Sequence, residues 1–396
     1  MTKKRASSPM RQLLRLVSGL IIIVSIFLCL LAFLRVLHSQ SKLPPSFFKS
    51  RRSHAFIHED QFKGPPKVAF LFLVRQDLPL DFLWDTFFKN GDVAKFSIYI
   101  HSEPGFAFDE STTRSAFFYG RQLNNSIQVV WGESSMIEAE RLLLEEALYD
   151  PANQIFVLLS DSCVPLYNFS YIYNYVMSSP RSFVDSFIDV KGFRYDPKMS
   201  PTIPEERWRK GSQWITLVRR HAEIVVDDHT VFPVFRKFSA ATHRPEFEEA
   251  TSCKEILSFK LYMKKKEEKR TVLKYRNCIP DEHYVQTLLI ISGLEDELER
   301  RTLTYTSWNQ TTILRKRRSW HPITFDYADA SPWKMREIKD IDHAYYEYEQ
   351  HTEFCHTGSK IASCYLFARK FTVGAAMRIL REGLIGPYDV TAIPNM

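Results

Sequence analysis

The chain has 396 residues, is 45% hydrophobic and 14% aromatic, and carries a formal net charge of +7. That apolar content excludes an intrinsically disordered chain and permits a sizeable core, in one large domain or two medium ones. With 13 Gly in the whole chain, collagen-like and Gly-rich linker architectures are excluded as well.

Residues 1–15, MTKKRASSPMRQLLR, are basic, and Leu16 to Leu34, LVSGLIIIVSIFLCLLAFL, carry no charge before Arg35. A run of about 18 or more apolar residues can span a bilayer as a helix. A cleaved signal peptide has a shorter apolar core and a small-residue cleavage site, which RVLHSQSK does not offer. The segment reads as a single-pass signal-anchor (16–34) between a cytoplasmic tail (1–15) and a basic, Pro-containing stem (35–66). Basic residues flank the span on both sides, so charge alone does not orient it. Asn124, Asn168 and Asn309 each begin an N-glycosylation acceptor triplet. Cys355 and Cys364 lie close together in a loop-like stretch and read as a local disulfide of an oxidising compartment. Both features favour a lumenal body. Of six Cys, Cys29 lies in the span and Cys163, in an apolar strand, reads as a buried free thiol, while Cys253 and Cys278 are candidates for a second pair.

From Lys67 the chain alternates short apolar runs with amphipathic ones. KVAFLFLV reads as a buried strand and LDFLWDTFFKN as a helix, with Leu80, Leu83, Trp84 and Phe87 on one face. FSIYIHSEPG and IQVVWGESS read as strands, and SSMIEAERLLLEEAL as a helix with Ser135 and Glu138 as a capping box. QIFVLLSDSCVPL is a strand ending in a polar loop, YIYNYVMSS a helix and SFVDSF a strand. Continuous apolar strands alternating with helices predict an α/β domain over 67–396, with a mostly parallel sheet covered on both faces. Ligands of such sheets sit at the carboxyl ends of the strands. There the sequence places Arg75, Gln76, His101, Glu103, Glu133, Ser160 and Asp161. The second half is less regular, and its basic clusters Lys264–Arg270 and Arg315–Arg318 read as solvated loops. No nucleic-acid module signature accompanies them, so no nucleic-acid partner is expected.

In CIPDEHYVQTLLII (Cys278–Ile291), Pro280 suits the first position of a helix, with Asp281 and Glu282 in its first turn. On spacing alone, helix capping is the leading reading of the two acids. Glu282 falls with the apolar stripe Val285, Leu288 and Leu289, which makes it the better candidate for a general base. The Asp-x-Asp triplet Asp340-Ile341-Asp342 lies well beyond the strand series and reads as a loop; no His/Cys cluster has zinc spacing, and no Gly-rich phosphate loop is present. Expelling a diphosphate without a metal requires fixed cations. Lys360, Arg369 and Lys370 are candidates, although spacing alone makes Arg369 and Lys370 a solvated helix start.

KVAFLFLVRQDLPLDFLW, FSIYIHSEPG, VVWGESSMIEAERLLLEEAL, FVLLSDSCVPL, RWRKGSQW, CIPDEHYVQTLL, LTYTSWN and CYLFARKF, in that order, make the chain resemble the core-2/I-branching β-1,6-N-acetylglucosaminyltransferase-like family, glycosyltransferase family 14, in its plant branch. The resemblance runs from Lys67 to the C-terminus and includes the anchor and stem. It implies a GT-A-like, Rossmann-like fold and an inverting, metal-independent enzyme of the Golgi membrane, type II, without cofactor. Such an enzyme transfers a hexosyl or acetylglucosaminyl group from a UDP-sugar to a glycan or glycoprotein acceptor. The family's base falls on Glu282. Its donor contacts fall on Val74, Glu103 (where Asp is more usual), Arg369 and Lys370, with Lys360 where Arg would be expected. The acceptor side falls on Arg209, Lys210, Trp214 and Trp308, with Asp161 and Asp281 in support. Donor sugar, acceptor, linkage and oligomeric state are not specified. Two other readings remain: a non-catalytic glycosyltransferase-like scaffold or partner of another Golgi enzyme, and a glycoside hydrolase pairing Glu282 with Asp161 or Glu133.

Overall fold

The computed structural model describes residues 64–189, 194–238, 279–308, 322–346, 349–358 and 360–385. The expected tail, span and stem up to residue 63, Asn309, the Cys253–Cys278 pair and both basic clusters lie outside these residues. No helix among the described residues is long and apolar enough to cross a membrane.

The elements follow the predicted alternation at first. Strand β1 (Lys67–Leu73), helix α1 (Asp81–Lys89), β2 (Phe96–His101), α2 (Ser134–Leu148), β3 (Asn153–Ser160), β4 (Val164–Pro165) and α3 (Phe169–Met177) come in that order. Then come β5 (Ser182–Phe183), β6 (Thr216–Val218), α4 (Arg219–Asp227), α5 (Val231–Phe238), α6 (Tyr284–Ile291), β7 (Leu298–Glu299) and β8 (Thr304–Thr306). Helix α7 (Pro332–Lys339), β9 (Phe367–Arg369) and α8 (Val373–Arg381) complete the frame. The main sheet has six strands in the order β2-β1-β3-β6-β5-β7. β2 and β3 run parallel to β1, and β7 runs parallel to β5, while β6 is antiparallel to both β3 and β5. A second sheet orders β8-β9-β4.

Alternation along β1 divides the core. Val68, Phe70 and Phe72 face one cluster, and Ala69, Leu71 and Leu73 face the other. On the first face α1 contributes Leu83, Trp84, Phe87 and Phe88, whose rings meet Phe70 and Phe72 edge-on. Each such buried side chain is worth about 1.5–3 kcal/mol. On the second face α2 buries Ile137, Leu143, Leu144 and Ala147. α6 is buried from Tyr284 to Ile290, which suits a helix apolar on every side. Both faces of the sheet are thus covered, and its strands need no polar alternation.

The structure corrects four local expectations. Residues 127–131 form no strand, and an isolated bridge between Ile100 and Gln122 is what borders β2 there. The capping box on α2 is absent: Glu133 is its N-cap without a side-chain bond, and Ser135 Oγ accepts from Val130 N at 3.0 Å. Cys163 is buried and free, but it sits in the turn between β3 and β4, not in a strand. Pro280–Glu282 is a separate 3-10 turn; His283, at φ −132°, interrupts the chain before α6, so the two acids are not in the first turn of an α-helix.

One segment, Arg209–Trp214, fastens the irregular half to the regular one. Gly211 N donates to Glu282 O at 2.9 Å, Ser212 N to Asp185 Oδ2 at 3.2 Å, and Arg209 N to Thr287 Oγ1 at 3.1 Å. Gln286 Nε2 donates to Ser212 O and Thr302 Oγ1 to Trp214 O. A Cβ at position 211 would lie 2.0 Å from Asp185 O, so the backbones approach as closely as only glycine permits. We predict that Gly211→Ala costs at least about 1–3 kcal/mol. Chemical unfolding of the purified full chain checks this, and an unchanged midpoint would contradict it.

Candidate active site

The carboxyl ends of β1, β2 and β3 meet the end of β9. Val74 is buried and its N–H donates to His101 O at 3.0 Å. The exposed Arg75 reaches across to Asp161, Nε to Oδ2 at 3.2 Å, while Glu103 N donates to Arg75 O at 3.1 Å. Phe371 N donates to Ser162 O at 3.0 Å, which brings Arg369 and Lys370 to the same edge. Burial pushes Lys370 down, the neighbouring Arg369 pushes it further, and Asp161 opposes both. Arg75, Arg369 and Lys370 therefore surround one carboxylate, Asp161. That surplus of positive charge is suited to an anion.

Arg369 is not at a solvated helix start. It ends β9, its guanidinium lies 4.3 Å from the centroid of Trp214, and its buried Nε finds no hydrogen-bond partner in the structure. Burial lowers its proton affinity, offset by Cys163, Asp161 and Asp281. Trp214 is buried beneath Arg369, so its place is as a platform for that cation and not on an open acceptor face.

Glu282 sits on the neighbouring turn, partly exposed. Its Oε2 is ion-paired with Arg194 Nη1, and Lys210 Nζ lies 4.0 Å away. Its backbone O holds Gly211. Asp281, expected to be the less inward of the two acids, is the more buried, and its Oδ1 has no hydrogen-bond partner among the described residues. His283 is structural: Nδ1 donates to Arg209 O at 2.7 Å, its ring stacks on Trp208 at 4.4 Å, and burial lowers it to about 3.

The remaining predicted residues are dispersed. Arg209 turns away to Glu295, with Nε 3.5 Å from Oε1, and donates to Glu206 O and Trp208 O. Trp308 is exposed, two residues past β8, which runs beside β9 with Thr306 opposite Arg369. Lys360 is exposed in a hairpin between the bonded Cys355 and Cys364, and makes no ion pair among the described residues. Asn124 is exposed on a turn, whereas the Asn168 side chain accepts from Tyr171 N and caps α3. Asp340 ends α7 and Asp342 pairs with His343. Among the described residues, no three His, Cys, Asp or Glu side chains are grouped to hold a metal. Arg194, Glu140 and Gln213 were not anticipated. No local pattern assigns the three to the site, and long-range packing is what brings them to the turn.

Glu140 is fully enclosed in α2, where Gln213 Nε2 donates to its Oε1 at 2.8 Å. Burial raises it well above the usual carboxylate range, and Asp281 adds to that. Asp281 is itself raised from 3.8 to about 7, by burial first and then by Glu282, with Arg194 and Arg369 opposing. The fold therefore favours the protonated Asp281. Its contribution to stability is complete below the unfolded value and is lost as pH rises through about 7. We predict that the melting temperature of the full chain falls between about pH 4 and about pH 7, and that Asp281→Asn reduces that fall. Calorimetry checks this, and a slope unaltered by the substitution would contradict it.

A profile of the Core-2/I-branching enzyme family matches residues 68–339. The chain is 52% identical over 323 residues to glycosyltransferase BC10 of Oryza sativa subsp. japonica, covering 81% of this chain and 78% of that protein. Two crystal structures of LgtC, one an active-site mutant and one a galactosyltransferase complex with donor and acceptor sugar analogs, align with 81% of this chain and 98% of theirs. Their TM-scores are 0.31, at 9% and 10% identity. The family profile and the rice relative, both covering most of the chain, show that it belongs to the Core-2/I-branching enzyme family and is a glycosyltransferase.

Proposed function

We propose that the protein is an inverting, metal-independent transferase with a GT-A-like fold, moving a sugar from a UDP-sugar to a glycan hydroxyl with Glu282 as general base. The observation that carries the reading is that Asp281, next to Glu282 on the same turn, interacts with Arg369, which with Lys370, Arg75 and Asp161 forms one charged edge. The acceptor oxygen attacks the anomeric carbon while its proton passes to the Glu282 carboxylate. The bond from that carbon to the diphosphate breaks, and its electron pair leaves with UDP. Preorganised cations stabilise that developing charge, and Arg75, Arg369 and Lys370 are placed to do so. Metal independence rests on those fixed cations. Asp161 is engaged by the exposed Arg75, and Glu282, paired with Arg194 through Oε2, keeps an Oε1 that accepts no hydrogen bond among the described residues and can take a proton. Val74 and Glu103 would border the uridine, while Lys210 and the exposed ring of Trp308 would border the acceptor. Lys360, which makes no ion pair among the described residues and stands where the resemblance expects Arg, lacks the bidentate fork for a diphosphate and keeps the scaffold reading open.

The proposed location is the Golgi membrane, as a single-pass type II protein with its body in the lumen. That rests on the apolar run Leu16–Leu34, the exposed Asn124 triplet and the Cys355–Cys364 bond.

Two substitutions test the chemistry. Glu282→Gln should retain UDP binding by calorimetry while transfer, assayed over a panel of UDP-sugars, falls by about 100-fold or more. Transfer at the wild-type rate would remove Glu282 as base. Lys370→Met should weaken UDP binding by about tenfold or more, as expected for a lost charge-assisted contact. Unchanged affinity would remove it from the diphosphate site, and a wild-type chain that does not bind UDP at all would favour the scaffold.

A further inference from the structure

Glu282 does not stand alone in its cleft. Its Oε2 is held by Arg194 Nη1, the two side chains being 23% and 21% exposed. That exposure is low enough to resist full solvent screening and high enough to leave the carboxylate within reach of a substrate. Oε1 accepts no hydrogen bond among the described residues, and Glu282 is likewise the one hydrogen-bond partner that Arg194 has there. Behind the side chain, Gly211 N fixes the backbone oxygen of Glu282 at 2.9 Å. The carboxylate is thus pinned at one oxygen and at its own main chain, with the other oxygen left for a hydroxyl.

From this arrangement we infer that Arg194 is a positioning residue of the base: it fixes Glu282 Oε2 and directs Oε1 to the acceptor. The inference rests on the reading of Glu282 as the base. The charged groups facing Glu282 are Arg194 from the segment after residue 193, Lys210 from the strand Arg209–Lys210, and Asp281 on its own turn. Behind Asp281 stand Arg369 of β9 and Glu140 of α2. Of the cations facing Glu282, Arg194 is the nearer. Lys210, at 4.0 Å and half-exposed, is a weaker second. A guanidinium suits the task because its planar fork fixes an oxygen in direction as well as distance, which an ammonium does not. Nothing local in the sequence marks Arg194. It lies in an irregular stretch, far along the chain from Glu282, and the fold makes the pair.

Carbodiimide coupling of an amine to carboxyl groups, mapped to Glu282 by peptide mass spectrometry across a pH series, reads this directly, because the protonated carboxyl is the reactive form. It needs no knowledge of the sugar substrate. In the full chain, Arg194→Met should move the pH midpoint for labelling at Glu282 upward by about one unit or more, as expected when an adjacent opposite charge is removed. Arg194→Lys should restore part of the shift. UDP affinity should stay within about twofold of wild type in both variants, which also reports that they fold. A midpoint unmoved in Arg194→Met overturns the inference. So does a loss of UDP affinity of about tenfold or more in Arg194→Lys, which would make Arg194 a donor-site or structural residue. Retention of transfer by Glu282→Gln would remove the base assignment without altering the labelling result, so the two failures can be told apart.

Discussion

The hydrogen bond from Gly211 N to Glu282 O is the contact on which the rest of the site depends. It joins two segments that neither helix nor sheet geometry would bring together: the Arg209–Trp214 segment and the Pro280–Glu282 turn. It exists because position 211 has no side chain, since a Cβ would strike Asp185 O at 2.0 Å. Asp185 in turn accepts from Ser212 N and Thr302 N, and Thr302 Oγ1 binds Trp214 O, so the segment is sewn to β8 as well. Trp214 then carries Arg369, and through it the Arg369–Lys370 edge is tied to the segment that holds the Glu282 turn.

The charges divide into two groups with different duties. Arg75, Arg369 and Lys370 gather round Asp161 with positive charge to spare. Arg194 and Lys210 gather round Glu282. Between them lie two buried acids, Asp281 and Glu140, that burial drives toward their neutral forms. Neutral acids there cost less than buried carboxylates and leave the charge of Arg369 less compensated, which favours an incoming anion. The same neutrality removes them as bases. In the proposed reading Glu282, whose Oε1 accepts no hydrogen bond among the described residues, is the carboxylate that acts on the acceptor, and a single base implies a single displacement.

The parallel core was legible from the sequence because it depends on local patterning. KVAFLFLV and QIFVLLS are continuous apolar runs, and the one-sided spacing of Leu83, Trp84 and Phe87 marks α1. IQVVW failed as a strand because composition does not reveal whether a partner edge exists, and here Gln122 forms only an isolated bridge to β2. CIPDEH was legible as the start of a turn and misread in shape. Pro280 does open a turn, but His283, drawn onto Trp208 and Arg209 O, breaks the helix before Tyr284. The inward acid on helical phase was Glu282, yet the 3-10 turn buries Asp281 and leaves Glu282 at the cleft. Glu140 and Gln213 lie inside the quoted motifs, but no local pattern assigned them or Arg194 to the site, since each reaches it through contacts distant in sequence. The family resemblance was carried by ordered motifs and placed the chain correctly, whereas the side-chain neighbours that distinguish Trp214 as a buried platform from Trp308 as an exposed ring required coordinates.

One measurement bears most directly on the claim that a single base, Glu282, drives one displacement at the anomeric carbon. Proton NMR of the glycan product formed from an α-linked UDP-sugar reports the configuration of the new linkage. A β-linked product is expected. An α-linked product would contradict the account, because retention needs either a second displacement or a different placing of the attacking group.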